Sequence, residues 1–302
     1  MKVATLPQKA ASKSSALNRK ISRPWSSWVW AGVIGFFVVI VMVPVTQMVM
    51  MSLESMSNIE SGAWLPRRIY WSNYVAVFHT IRITAFIMHS VLVAVSSVVV
   101  TVLVATGMAY VLNRFKFRLR STFAVALLVT QMVPAVTLLL PIYVFYANAQ
   151  TVSGLHIIGS FPGLIAAQVA ISLPLTIWLI IPAFDSVSPE IDEAAMVDGA
   201  NNLTILIRVV APLAAPGMVA AGIFSFLASW NDVIFASVLT NHATRTLAIG
   251  LQEYVNGGSG GSGLTLWNQL MAAAVISTIL PVVFFFFAQR FLTRGLTLGA
   301  VK

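Results

Sequence analysis

Asp185-Ser186-Val187-Ser188-Pro189-Glu190-Ile191-Asp192-Glu193-Ala194-Ala195-Met196-Val197-Asp198-Gly199-Ala200 contains five of the chain's nine carboxylates. Around it the sequence is apolar: 58% of the 302 residues are hydrophobic and 9% charged, with a mean hydropathy of +0.89. A chain of this composition cannot expose most of itself to water. The acidic stretch therefore reads as a polar break between membrane-crossing helices, and the fold class as an all-α integral membrane protein.

A helix that crosses a bilayer needs about 20 mostly apolar residues. Six segments meet that requirement, at about Ser27–Met51, Ala85–Leu112, Phe123–Tyr146, Ile158–Phe184, Val209–Thr240 and Trp267–Ala288. Pro44, Pro134, Pro141, Pro174, Pro182, Pro216 and Pro281 fall on them. Such prolines kink or break helices in lipid, a shape that suits a pathway better than an anchor. The division expected is a basic tail over residues 1–24 and one transmembrane domain over 25–302, with a loop at 185–208.

The basic residues orient the chain. Lys2, Lys9, Lys13, Arg19, Lys20, Arg23, Arg114, Lys116, Arg118, Arg120, Arg208, Arg290, Arg294 and Lys302 fall on one side of the spans, against Arg67, Arg68, Arg82 and Arg245 on the other. Positive charge is retained inside, so both termini and the acidic break are expected in the cytoplasm. The pI near 10.3 is then mostly topology, and no interleaved aromatics or motif point to nucleic acid. The tail resembles a signal-peptide n-region, but a span-length apolar run follows it and no small-residue cleavage site closes that run, so a retained first helix is expected.

Other chemistries leave little trace. With no cysteine there is no disulfide framework and no thiolate site. His79, His89, His156 and His242 lack metal-ligand spacing. Ser90, Ser96 and Ser97 lie on a span, where serines usually bond a carbonyl or pack between helices, and no Gly-x-Ser-x-Gly elbow accompanies them. The run from Gly257 to Gly263 lacks the Gly-Lys-Ser/Thr ending of a phosphate-binding loop. Catalytic, cofactor-binding and metal-binding residues are thus expected to be absent.

The acidic break reads as a short helix. Ser188 fits an N-cap, Pro189 the first helical position, and Glu190, Asp192 and Glu193 the first turn, where the helix dipole favours negative charge. Gly199 supplies the stop. About ten residues make about 15 Å of helix, too short to span. Glu190, Glu193 and Val197 share one side; Ile191, Ala194, Ala195 and Asp198 share another. Small alanines admit close approach and the carboxylates can meet basic groups, the outline of a docking surface. A capped, solvated connection between spans is the plainer alternative.

Glu193-Ala194-Ala195, then Gly199, then Val209-Val210-Ala211-Pro212 resembles the EAA signature of bacterial ABC importer permeases: E-A-A, three residues, G, nine residues, I-x-L-P. Val209 replaces Ile and Ala211 replaces Leu. Ala109-Tyr110 with Arg114, Pro141-Ile142-Tyr143, Trp230-Asn231-Asp232 and the ending from Gln289 through Gly295 and Gly299 to Lys302 are similar to the second permease of maltose- and trehalose-type importers. His89-Ser90 stands where Asn-Ser is usual, and the final Gly is absent.

The resemblance implies a six-helix type I permease in a bacterial inner membrane, importing an oligosaccharide, disaccharide or polyol. Its implied partners are a second homologous permease, two copies of a cytoplasmic ATPase that bind Mg-ATP, and an external solute-binding protein. It further implies that Glu190, Glu193, Ala194, Ala195, Asp198, Gly199 and Pro212 couple to the ATPase, with Gly295, Gly299 and Lys302 as a second contact. Gln131, Tyr143, Trp230, Asn231 and Asp232 are candidates for the solute path or gate. Asp232 is the acid expected inside a span, and an intramembrane carboxylate is a functional candidate; a helix-end anchor or gate hydrogen bond is the alternative. The same machinery with a non-sugar load, such as a glycerol phosphoester, stays open. A secondary transporter would be expected to show an ion site, charged relay or inverted repeats.

Overall fold

The computed structural model describes residues 24–62, 68–257 and 266–299. Every regular element among them is helical, in the order α1 (Pro24–Ser52), α2 (Met56–Glu60), α3 (Ser72–Thr80), α4 (Ile83–Arg114), α5 (Arg120–Gln131), α6 (Ala135–Ser153), α7 (Phe161–Asp185), α8 (Pro189–Val197), α9 (Asn202–Ile205), α10 (Ala211–Trp230), α11 (Ile234–Leu239), α12 (Leu247–Gly257) and α13 (Trp267–Gly299). Six stretches are long and apolar enough to cross a bilayer: Trp28–Ser52, Ile83–Arg114, Ala135–Ser153, Phe161–Asp185, Asn202–Trp230 and Trp267–Phe291. Helix prevails even in the valine-rich middle of α4, because hydrocarbon offers no water to an unpaired backbone group.

Two of these spans differ from the sequence expectation. The third was expected over Phe123–Tyr146, but α5 stops at Gln131 and the apolar helix begins at Ala135. Pro134 lacks an N–H and biases Val133 away from helix, so the chain breaks there instead of kinking. The fifth was expected to run to Thr240, but α10 ends at Trp230 and the chain re-enters helix only at Ile234. Asp232 therefore lies in a break between helices.

The chain divides into two compact units, one ending at Gln47 and one beginning at Met48. The first contains most of α1. In the second, α4, α7 and α10 pack on one another and α13 packs on α10. Fully buried small residues at the contacts, including Ala105, Ala109, Ala214 and Ala221, let the backbones approach. At Gly217 a Cβ would stand 2.3 Å from the Cβ of Ala183, so α10 meets α7 where only glycine fits.

One apolar cluster gathers Ile177, Ile180, Phe184, Ile205 and Val210 beside the end of α4. A second, at the other end, joins Val77, Ile83, Phe226, Trp230, Leu247 and Leu270. The short helices α3 and α12 pack against α4 and α13 at that second end. Buried Asn73 donates to the carbonyls of Ser52 (2.9 Å) and Glu54 (2.8 Å) and accepts from Asn268 (3.0 Å), tying α3 to α13.

Candidate functional site

The acidic break folds as the capped helix its residues dictate. The Ser188 hydroxyl accepts from the Glu190 N–H at 3.4 Å, with Pro189 opening α8. At the far end the Asp198, Gly199 and Ala200 N–H groups donate to the carbonyls of Ala194, Met196 and Ala195 at 3.0 to 3.1 Å. Gly199 has φ +85°, a left-handed conformation that glycine adopts without a Cβ penalty.

The faces of α8 are unequal. Glu190, Glu193, Ala194 and Asp198 are exposed, and Val197 is 89% exposed. Of the side expected to carry Ile191, Ala194, Ala195 and Asp198, only Ala195 turns toward the core. The inward position belongs instead to Asp192, which is buried. Arg114, at the end of α4, donates from Nε to Asp192 Oδ2 and from Nη2 to the Val187 carbonyl, both at 2.8 Å. Asn113 beside it donates to Asp185. Two of the five clustered carboxylates are therefore held within the chain, and the rest face outward.

Pro212 sits just beyond a π-helical turn over Leu206–Val210 that joins α9 to α10. Proline has no N–H for the Arg208 carbonyl and would crowd it in a straight α-helix; the wider turn relieves both problems. The spacing from Glu193 to Pro212 thus ends at a locally widened helix start, with Pro212 itself exposed.

The second polar group lies between α7, α10 and α11. Gln168, buried in the middle of α7, accepts from Ser97 (3.2 Å) and from Ser229, and its amide donates to Asp232 Oδ2 (3.2 Å). Asp232 also receives the N–H groups of Phe235 (3.2 Å) and Ala236 (3.1 Å), so it caps α11. Thr101 and Ser172 bond across α4 and α7 at 3.2 Å. A cleft of about 230 Å³ opens beside these groups, bordered by Gln131, Gln168, Ser172, Ser225, Asp232 and Phe224 among others. The hydroxyl of Ser225 is buried without a hydrogen-bond partner.

The remaining candidates scatter. Gln131 borders the cleft and donates to the Ile171 carbonyl at 3.3 Å. Trp230 is buried and stacks on Phe226 with ring centroids 5.8 Å apart, a core residue. Asn231 is exposed and donates back to Leu227, while Tyr143 is exposed on α6 away from the cleft lining. Gly295 and Gly299 continue α13, and Lys302 lies outside the described residues. Gln168 was not among the candidates read from the sequence; an amide in mid-span is costly to bury unpaired, though less so than a carboxylate, and was the available signal. Arg114 entered the sequence reading as a charge that sets topology and as part of the family resemblance, with no partner assigned to it.

Residues 98–298 match the family described as binding-protein-dependent transport system inner membrane component. The chain is 30% identical to the trehalose/maltose transport system permease protein MalG of Thermococcus litoralis over 76% of its length and 80% of that protein. It is 29% identical to the inner membrane ABC transporter permease protein YcjP of Escherichia coli over 89% of its length and 94% of that protein. A crystal structure of a bacterial ABC transporter involved in the import of the acidic polysaccharide alginate contains a chain of the same fold, with a TM-score of 0.73 at 22% identity, covering 87% of this chain and 95% of that one. The match from within α4 to the end of α13 and the position of α8 between α7 and α10 lead to one assignment: this chain belongs to the family of binding-protein-dependent transport inner membrane components, the permease subunits of ABC importers.

Proposed function

We propose that this permease imports a sugar or related polyol, driven by a cytoplasmic ATPase that seats on α8. The observation that carries the reading is the outward face of α8. A helix too short to cross the bilayer presents Glu190, Glu193 and Val197 to its surroundings while its inner side is held to the bundle. An exposed apolar side chain flanked by carboxylates suits a groove with a basic rim.

In this reading the ATPase is present in two copies, each binding Mg-ATP, and a second permease completes the pore. A solute-binding protein delivers the load from outside, and both termini face the cytoplasm. Ala194 and Ala195 permit close approach, while Asp198, Gly199 and Pro212 fix the shape of the loop. The end of α13 toward Lys302 adds a second contact. Sugar as the load is supported by relatives named for trehalose and maltose and for alpha-glucosides. The cleft beside Gln131, Gln168 and Asp232 is this subunit's share of the path. Its walls combine the aromatic side chains of Phe224 and Phe235 with hydrogen-bonding groups of Gln131, Gln168, Ser225 and Asp232, a combination that suits sugars.

Co-purification tests the docking step: Glu193→Lys is expected to abolish retention of the ATPase while the permease still accumulates in the membrane. Equal recovery of ATPase with the variant would sink this reading. Binding of trehalose or maltose by the co-purifying solute-binding protein tests the choice of load.

A further inference from the structure

We propose that Arg114 is the positioning residue that makes α8 and the helical bundle move as one body, through its paired bonds to Asp192 and to the Val187 carbonyl. The proposal rests on reading α8 as the ATPase-docking helix.

Among the described residues, Arg114 to Asp192 is the one side-chain hydrogen bond from α8 to a spanning helix. Otherwise α8 is joined by the turn at Ser186–Ser188, the turn at Gly199 and side-on packing against α9 and the π-helical turn before α10, with Ala195 toward the core. Turns of this kind can swivel, so a push on the outer face of α8 would bend them unless something braces the inner face. The guanidinium is built for that purpose. It is planar, it reaches two acceptors on different segments at 2.8 Å, and the two side chains are only 12% and 7% exposed. In such surroundings an unpaired charge is strongly disfavoured, so the contact resists being pulled apart.

The brace is also well rooted. Tyr110, one turn before Arg114, meets Phe184 and Phe115 edge-on at 6.4 and 6.0 Å, and Asn113 bonds Asp185 at the end of α7. Farther along, Thr101 with Ser172 and Ser97 with Gln168 tie α4 to α7 again, and Gln168 reaches Asp232 at the opposite break. A displacement of α8 delivered to Arg114 therefore reaches α4 and α7 together.

The absence of native cysteine allows a direct test. Asn231→Cys, exposed at the far break, is labelled with a membrane-impermeant maleimide in the complete transporter, before and after ATP-vanadate trapping. Trapping is expected to change the labelling rate about tenfold with Arg114 and Asp192 intact. With Asp192→Asn or Arg114→Lys added, ATPase retention and vanadate trapping persist but the rate changes less than about twofold; exchange of the two residues, Arg114→Asp with Asp192→Arg, recovers part of the response. An undiminished response in Asp192→Asn would overturn the proposal, as would no response in the parent. Loss of ATPase from Asp192→Asn would also overturn it, by making Asp192 part of the docking surface. If Asp192→Asn fails to accumulate, Arg114→Lys alone decides by the same criteria. Retention of ATPase by Glu193→Lys would instead defeat the docking reading, separately from the labelling result.

Discussion

The loop carrying α8 and the break carrying Asp232 are both polar interruptions of apolar helices, and both contain acid, yet they use it in opposite ways. At α8, Glu190 and Glu193 are exposed and only Asp192 turns inward. At the α10–α11 break the single carboxylate is consumed, with Gln168, Phe235 and Ala236 all donating to it. An acid in a membrane break is therefore no guide to its role until the donors that reach it are counted. A displayed carboxylate is available to a partner, whereas a consumed one sets the geometry of its neighbours.

Substitutions that separate stability from assembly can break this contrast. The largest effect is expected from Asp232→Leu, which strands two backbone N–H groups and an amide in a half-buried site. Unfolding in detergent, followed by tryptophan fluorescence, should show a loss of about 3 kcal/mol or more. A variant as stable as the parent would mean that the capping bonds contribute nothing. Gly199→Ala comes next. Open space surrounds the position, so the cost is that of a left-handed alanine alone, about 1–2 kcal/mol, read from the same unfolding curve.

Ser188→Ala removes the cap of α8 and should cost about 1 kcal/mol. Because the cap also orders α8, where the proposed function seats the ATPase, retention of the ATPase should weaken with it, as checked by co-purification. Val197→Ala is expected to shift stability by less than about 0.5 kcal/mol, since the side chain is almost wholly exposed. It should nevertheless weaken ATPase retention, measured by titrating ATPase onto immobilised permease. A large stability loss with unchanged retention would place Val197 in the fold and reverse the comparison.

How much was legible varied with how local the signal was. The α8 helix was readable because its cap, its first-turn acids and its terminal glycine act within a few residues of one another. Prolines were ambiguous for the opposite reason. Pro44, Pro141, Pro174, Pro182, Pro216 and Pro281 all lie inside helices, whereas Pro134 ends one, and nothing in its own segment distinguishes it. Trp230-Asn231-Asp232 read as one candidate cluster. Folded, it separates into a core aromatic, an exposed amide and a capping carboxylate, because consecutive residues at a helix end point in different directions.

Composition and apolar length determined that this chain carries six helices fit to span a membrane, and the run from Ser188 to Gly199 determined where a short capped helix forms between two of them. These follow from the sequence alone because lipid demands internally bonded helices and caps act at short range. Which acids remain available was decided only by tertiary structure. Asp192 meets Arg114 from 78 residues away and Asp232 meets Gln168 from 64 residues away. Pairings at that distance exist only once α4, α7 and α10 have packed, since burial then requires each polar group to find a partner.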